Sequence, residues 1–295
     1  MTNEKKPSQS PKNTQPIEDL RTYWTPERMK KAIPSKNEAI QTNKTQAAQK
    51  TEKSTKQQHR YSLPQLPRHL LGTSNDLDFT AQPVQHPTVF PYSTVGKLFY
   101  TQAGQDYAAS ASVIYQNTIL TAAHVLFSYR HQQWSQNILF APAYTYGNTP
   151  LGTWGVLYSF TLPGYNTTGN GGFDVGMATM APANISTVTG ALGIAFNQGA
   201  DVAWQAVGYP AIPNPPYDGE RMWSLVGPPT GFDPDGTNAV GMESNFNRGA
   251  SGGPWLTGGA IANGLSSYGK DNTPNIEFSP YFDDAVWAMY LAVRS

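Results

Sequence analysis

From Thr88 onward the chain consists largely of short apolar runs separated by turn residues, and this pattern limits the fold more than any other feature. The runs recur about every 8–15 residues, a spacing typical of strands in a β-barrel or sandwich. With 27 glycines and 24 prolines, the chain is too rich in helix breakers for a helical protein. The clearest runs are STVGKLFYT (93–101), YAASASVIY (107–115), TILTAA (118–123), ILFAPAY (138–144), DVGMATM (174–180), VAWQAVGY (202–209), AVGME (239–243), PWLTG (254–258) and AIANGLSSY (260–268). The sequence therefore predicts an all-β fold for this region.

One segment of clear helical character closes the chain. Ser279 is the predicted N-cap and Pro280 the first helical residue, and Asp283 and Asp284 place negative charge in the first turn before AVWAMYLAVR (285–294). We expect an amphipathic C-terminal helix that packs on the β core.

Residues 1–85 differ in composition from the rest and form a predicted basic tail. Thirteen Lys and Arg against six Asp and Glu give residues 1–60 a charge of +7, which the remainder of the chain balances. Segment 41–60 has low complexity, so we expect a disordered tail that folding does not require. Segment 41–60 has no aromatic residues interleaved with its lysines, which argues against a nucleic-acid partner.

One short helix is predicted inside this tail. Thr25 is a suitable N-cap and Pro26 a suitable first residue. The apolar side of this segment would consist of Tyr23, Trp24, Met29 and Ile33. Two interpretations stay open: a pro-segment that docks on the acidic domain, or a fluctuating helix without a partner.

The chain contains no cysteine, which excludes disulfides, a thiolate nucleophile and cysteine-ligated metals. No window approaches the roughly 18 apolar residues of a membrane-spanning helix, so no membrane partner is expected. The N-terminal run MTNEKKPSQSPKNTQ has no apolar stretch and does not resemble a secretory signal.

The motif GASGGP (249–254) supplies the candidate nucleophile, Ser251. Glycines on both sides of a serine allow a tight turn and let a substrate carbonyl approach backbone N–H groups. The string also fits the nucleophile elbow of α/β-hydrolases, but that class places its histidine after the serine. All five histidines precede Ser251, so the chain supplies only the order His, then Asp, then Ser.

Two further motifs complete a candidate triad. In ILTAAHVLFS (119–128), small residues precede His124 and leave its imidazole close to a cleft. In GGFDVGMA (171–178), Asp174 opens an apolar strand-like run, and a buried carboxylate there needs a partner such as the imidazole N–H. A turn aspartate is the simpler interpretation of Asp174, and Asp201, which also precedes an apolar strand, is the second candidate.

Together, TAAH (121–124), FDVGMA (173–178) and GASGGP (249–254) resemble the three signature blocks of chymotrypsin-like serine peptidases. More narrowly, they resemble the bacterial and fungal branch near the glutamyl endopeptidases. The resemblance runs from about Ser93 to the C-terminus. It implies two six-stranded antiparallel β-barrels with the active site between them and a C-terminal helix, in a peptidase domain of residues 86–295.

The resemblance also assigns roles to individual residues. It implies that His124 is the general base, that Asp174 orients it, and that Ser251 attacks the scissile carbonyl. The backbone N–H groups of Gly249 and Ser251 would form the oxyanion hole. The strand implied to pair with the substrate backbone comprises Ser266, Ser267 and Tyr268. The resemblance implies a monomer that acts on polypeptides and needs no cofactor or metal.

Departures from the family pattern concern activation and specificity. Trypsins carry before the nucleophile an aspartate that binds the freed N-terminal ammonium, and Ala250 cannot do so. Asn245 stands where trypsins have the charged pocket residue, and Leu265 where glutamyl endopeptidases have a histidine. We therefore expect a neutral or apolar side chain at the cleavage site.

Two rival functions stay open: a non-catalytic peptide-binding module on the same fold, and an esterase that uses the same triad. Residues Asp233 to Asn238 contain oxygen ligands suited to Ca²⁺, but the same residue types favour a surface turn. The resemblance implies a secreted protein, with a cytoplasmic location as the alternative.

Overall fold

The computed structural model describes residues 6–36, 79–183 and 185–294. Residues 6–36 contain strand β1 (Ser8–Gln9), helix α1 (Ile17–Tyr23), helix α2 (Pro26–Lys31) and strand β2 (Ile33–Pro34). The hydroxyl of Thr25 accepts a hydrogen bond from the backbone N–H of Arg28, which confirms the predicted cap of α2.

The prediction of a disordered tail is wrong for residues 6–36. Leu20, Trp24 and Met29 are buried in the main hydrophobic core, so the apolar sides of the two short helices pack on the rest of the chain. Burial of this apolar surface offsets the entropy lost on ordering the segment. Residues 37–78 of the predicted tail lie outside the described residues.

Strand β3 (Thr80–Pro83) begins the remainder of the chain. It pairs antiparallel with residues 223–226, so these residues belong to the folded domain. The predicted domain boundary at residue 86 is therefore several residues too late.

Eight strands and two α-helices follow, and they make up the first half of the domain. The elements are β4 (Val95–Gln102), β5 (Gln105–Tyr115), β6 (Thr118–Thr121), α3 (Ala123–Leu126), β7 (Phe127–Ser128), β8 (Gln133–Trp134), β9 (Gln136–Pro142), β10 (Trp154–Thr161), α4 (Pro163–Thr168) and β11 (Gly176–Ala181). Short 3₁₀ turns lie at Tyr92–Thr94 and Gly171–Phe173.

Six of these strands close into an antiparallel barrel in the order β10, β11, β6, β5, β4 and β9, and β9 returns to β10. Closure leaves no free edge within the barrel. These strands contribute large apolar side chains to the main hydrophobic core, among them Leu98, Phe99, Leu120, Phe140 and Met177.

The second half of the domain consists of one helix and nine strands before the C-terminal helix. These are α5 (Ser186–Thr189), β12 (Gly193–Ile194), β13 (Trp204–Gly208), β14 (Trp223–Gly227), β15 (Pro229–Phe232), β16 (Ala239–Glu243), β17 (Pro254–Thr257), β18 (Ile261–Leu265), β19 (Tyr268–Lys270) and β20 (Thr273–Pro280).

The strands of the second half form two sheets, where the resemblance implies a second six-stranded barrel. One sheet has the order β12, β18, β17, β13, β14 and β3, and the other the order β15, β16, β20 and β19. Both contribute to a second core, in which Trp204 and Trp255 contact each other with ring centroids 5.4 Å apart. The predicted two-part all-β architecture is thus confirmed.

The C-terminal helix α6 (Asp284–Arg294) is also confirmed, but it starts later than predicted. Ser279 and Pro280 belong to strand β20, and Asp283 is the residue whose carboxylate accepts from the first helical N–H groups. In the described parts of the chain, no helix has the length and apolarity needed to span a bilayer.

Candidate active site

His124 and Asp174 are joined by two hydrogen bonds. The Nδ1 atom of His124 lies 2.8 Å from Oδ2 of Asp174, and the backbone N–H of His124 donates to Oδ1 at 2.8 Å. Helix α3 places His124 directly after β6, and the 3₁₀ turn before Asp174 brings its carboxylate to the same point. Asp174 is fully buried and His124 is 7% exposed. The pairing predicted for these two residues is therefore present.

Ser267 completes the surroundings of this carboxylate, because its hydroxyl donates to Oδ2 of Asp174 at 2.5 Å. Three donors thus fix the carboxylate in a site that excludes water, as a buried charge requires. Asp201, the second candidate, lies exposed in a turn. Of the two aspartates, the structure brings Asp174 to the histidine.

Ser251 lies on a turn packed directly against the one that carries His124. A Cβ atom on Gly252, whose φ is +82°, would lie 2.8 Å from the backbone nitrogen of Ala122. The carbonyl oxygen of Ser251 accepts a hydrogen bond from the N–H of Ser110 on β5 at 2.8 Å. Glycine is thus required beside the nucleophile for close approach, as the motif predicts.

The peptide between Arg248 and Gly249 has a fixed orientation. The carbonyl oxygen of Arg248 accepts from the N–H of Ala211 at 2.8 Å, so the N–H of Gly249 points the opposite way, toward the side of Ser251. Gly249 has a φ of +92°, which suits glycine and few other residues. The N–H of Gly249 donates to the carbonyl oxygen of Ser35 at 2.9 Å.

Side chains hold this turn without any charge at Ala250. The Oδ1 atom of Asn247 accepts from the N–H of Arg248 at 2.9 Å, and the hydroxyl of Ser110 donates to the carbonyl oxygen of Gly249 at 2.8 Å. Ala250 is 1% exposed and lies in the second hydrophobic core.

Among the described residues, no hydrogen bond joins the hydroxyl of Ser251 to the imidazole of His124. The Nε2 atom of His124 is buried without a hydrogen-bond partner there, and Oγ of Ser251 lies 3.5 Å from the carbonyl oxygen of Ser35. The N-terminal segment therefore occupies the space beside Ser251.

The predicted substrate-binding residues have other partners as well. Asn245 accepts a hydrogen bond from the hydroxyl of Tyr217 at 2.6 Å. The backbone of Ser266 pairs with Gly252 and Gly253, and the hydroxyl of Tyr268 donates to Asp233 at 2.9 Å. Pairing of this segment with a substrate stays a prediction.

Sequence reasoning missed Glu277, which lies behind this segment. Its side chain is buried, and the hydroxyl of Ser244 donates to it at 3.1 Å. Burial raises the pKa of Glu277 to about 8, although hydrogen bonds from Ser266 and Ser244 act in the opposite direction. Burial therefore favours the protonated form of Glu277.

The acidic turn considered as a calcium site is bound by a lysine. The Nζ atom of Lys270 contacts Asp233 and lies 2.7 Å from the carboxylate of Asp235. Burial raises the pKa of Asp233, but hydrogen bonds from Lys270, the N–H of Asp235 and Tyr268 hold it below its ordinary value. No group of metal-ligating side chains is found within residues 6–36, 79–183 and 185–294.

Solved structures of bacterial proteases are similar to this chain. Protease Anisep from Arthrobacter nicotinovorans is 28% identical, with a TM-score of 0.66 over 73% of this chain and 100% of that chain. The thermostable serine protease AL20 from an extremophilic microorganism is 31% identical, with a TM-score of 0.64 over 69% and 98%. A Glu endopeptidase shares the fold at 20% identity, with a TM-score of 0.62 over 75% and 99%.

A scan against protein-family models and a search of curated proteins each returned no match. The family assignment therefore depends on the solved structures, whose full length the chain spans. By this likeness, the chain belongs to the chymotrypsin-like serine peptidases.

Proposed function

We propose that this chain is a serine endopeptidase that cleaves polypeptides through an acyl-enzyme intermediate. The observation that carries the proposal is the double hydrogen bond of Asp174 to His124 beside the turn of Ser251. In this role, His124 takes the proton of the Ser251 hydroxyl, and Asp174 fixes the imidazole and stabilises its positive charge.

The N–H groups of Gly249 and Ser251 would then stabilise the negative oxygen of the tetrahedral intermediate. The orientation of the Gly249 N–H supports this role, because it is the donor that the Ser35 carbonyl engages. We further propose that the enzyme acts as a secreted monomer without a cofactor and accepts a neutral or apolar side chain at the cleavage site.

Labelling with a serine-directed phosphonate tests the proposal. The purified chain is incubated with excess reagent until the reaction stops, and mass spectrometry locates the label, so that slow access does not hide a reactive serine. We expect one label, on Ser251, and none in Ser251→Ala or His124→Ala. Absence of labelling in the wild-type chain would favour the non-catalytic peptide-binding module.

Peptide hydrolysis by the same variants provides the second test. Each single substitution and the double substitution should abolish hydrolysis to the same extent, because the two side chains act as one unit. Additive losses would mean that Ser251 and His124 act independently. Comparison of peptide and ester substrates separates the endopeptidase from an esterase.

A further inference from the structure

Residues 33–35 pass directly over the candidate active site. Strand β2 pairs parallel with β5, and the N–H of Ser35 donates to the carbonyl oxygen of Ala108 at 2.7 Å. The carbonyl oxygen of Ser35 accepts from the N–H of Gly249 at 2.9 Å and lies 3.5 Å from Oγ of Ser251. A carbonyl at this position takes the place that a substrate carbonyl needs.

The side chain of Ser35 fixes the segment at this point. Its hydroxyl lies 2.7 Å from the hydroxyl of Tyr100, and Ser35 as a whole is 1% exposed. The segment is therefore held by hydrogen bonds on both sides of Ser35 and is not a loosely placed end.

Apolar residues upstream anchor the segment to the first barrel. Trp24 is 2% exposed, its ring centroid lies 5.4 Å from that of Phe99, and its indole N–H donates to the carbonyl oxygen of Asn137 at 2.6 Å. Leu20 is 1% exposed, and a Cβ atom on Gly155 would lie 2.6 Å from its Cδ1 atom. The N-terminal segment and the first barrel therefore form a closely packed interface.

Polar contacts add orientation to this anchor. Asp106 accepts from the guanidinium of Arg28 at 2.5 Å and from the hydroxyl of Tyr23 at 2.9 Å. The guanidinium also stacks on the Tyr23 ring, 3.7 Å from its centroid. Because Arg28 is exposed, these contacts contribute less than the buried apolar ones.

From these contacts we propose that residues 6–36 are an intramolecular inhibitor that fills the oxyanion hole with the carbonyl oxygen of Ser35. The proposal rests on the proposed peptidase function. The segment acts as an inhibitor and not as a substrate, because the Ser251 hydroxyl faces the Ser35 oxygen while Nε2 of His124 has no partner among the described residues. Attack requires the hydroxyl to donate to that nitrogen.

The first experiment compares phosphonate labelling rates in the full chain and three variants. Trp24→Ala should label at least about tenfold faster, since loss of a buried tryptophan weakens docking. Arg28→Ala leaves the buried contacts of Leu20 and Trp24 in place, so it should accelerate labelling less than Trp24→Ala does. Lys30→Ala, an exposed residue of the same helix as Arg28, serves as the matched control and should label at the wild-type rate. Equal rates in all four proteins would overturn the inhibitor role.

The second experiment does not depend on activity. In a Ser251→Ala background, amide hydrogen exchange at Gly249 reports whether its N–H is bound. We expect exchange at least about tenfold faster after Trp24→Ala, because the Ser35 carbonyl departs with the segment. Unchanged exchange would refute the contact. Faster exchange with no labelling of any protein would refute the peptidase function and leave the docking contact confirmed.

Discussion

The hydroxyl of Ser110 donates a hydrogen bond to the carbonyl oxygen of Gly249 at 2.8 Å, from strand β5 of the first barrel to the nucleophile turn. The same hydroxyl accepts from the N–H of Tyr209 at 2.9 Å, and the N–H of Ser110 donates to the carbonyl oxygen of Ser251 at 2.8 Å. One buried serine therefore positions both residues of the proposed oxyanion hole.

Removal of this hydroxyl should impair catalysis more than binding. In Ser110→Ala, the Gly249 carbonyl and the Tyr209 N–H each lose a buried partner, at a cost of about 1–3 kcal/mol in unfolding free energy. We expect kcat to fall about tenfold or more, with a smaller change in KM, because the donor geometry matters most in the transition state. Steady-state kinetics and chemical denaturation measure the two effects.

Ser112 offers a matched control on the same strand. It is equally buried, but within the described residues its hydroxyl has no hydrogen-bond partner. Ser112→Ala removes an unsatisfied polar group and should be neutral or stabilising, with unchanged kcat. An equal fall in kcat in Ser110→Ala and Ser112→Ala would show that Ser110 acts only through packing.

The Ser267 hydroxyl on Asp174 should make a modest contribution to the triad. Ser267→Ala removes one donor to Asp174 and leaves both bonds from His124 in place, so we expect kcat to fall by no more than about tenfold. Asp174→Asn should lower kcat by about 10³-fold or more, because an amide has one acceptor oxygen and cannot accept from both the imidazole N–H and the backbone N–H of His124. If Ser267→Ala equals Asp174→Asn in effect, the hydroxyl would be essential to the carboxylate.

The three residues of the candidate triad could be singled out from the sequence because each lies in a short local pattern. Small residues before His124 and glycines around Ser251 are requirements of close approach, and the structure shows the packing that imposes them. Ser110 has no such signature, because a serine inside an alternating strand looks like any solvent-facing position. Its role arises from contact with residues 139 positions away, at Gly249.

The N-terminal segment could be predicted only in part, for a related reason. The cap at Thr25 is local and was visible, whereas burial of Leu20 and Trp24 depends on the barrel surface that receives them. The start of the C-terminal helix could not be predicted correctly, because Ser279 pairs with Val240 in a strand and does not cap the helix. Its hydroxyl donates to the carbonyl oxygen of Pro280 and accepts from the N–H of Leu265. Tertiary contacts thus overrode the local capping signal.

Glu277 should make stability depend on pH between about 4.5 and about 8. Burial raises its pKa to about 8 in the folded chain, from an ordinary value of 4.5. The stability that Glu277 contributes is fully present below about pH 4.5, where the carboxyl group is protonated in both states. It is lost as the pH rises toward about 8, because in this range the carboxyl group ionises readily only in the unfolded chain. Wild-type unfolding free energy should therefore fall across this range relative to Glu277→Gln.

Chemical denaturation of both proteins at several pH values gives this difference directly. Gln is a neutral isostere that can bond to the Ser244 and Ser266 hydroxyls, so the variant should fold and lack the titration. Parallel stability curves for the two proteins would mean that Glu277 does not hold its proton in the folded state.

The final prediction concerns activation, which should not require an ammonium beside the nucleophile. Ala250 is buried in the second core and offers no carboxylate to receive one. The turn is already held by Asn247, Ala211 and Ser110, so the Gly249 N–H is oriented without it. A cut between residues 61 and 78 should act only by releasing the N-terminal segment. Starts beyond Pro83 should lower stability, since they remove the strand that pairs with residues 223–226.

A series of chains cut at different positions from 61 to 78 tests this expectation. Active-site titration followed by turnover should give the same turnover per site for every start, and acetylation of the new terminus should change nothing. Burial of an ammonium among the apolar neighbours of Ala250 would cost several kcal/mol without a partner charge. We therefore expect no single N-terminal residue to give a more active enzyme than the others. Activity confined to one start, and lost on acetylation, would show that the new terminus itself orders the oxyanion hole.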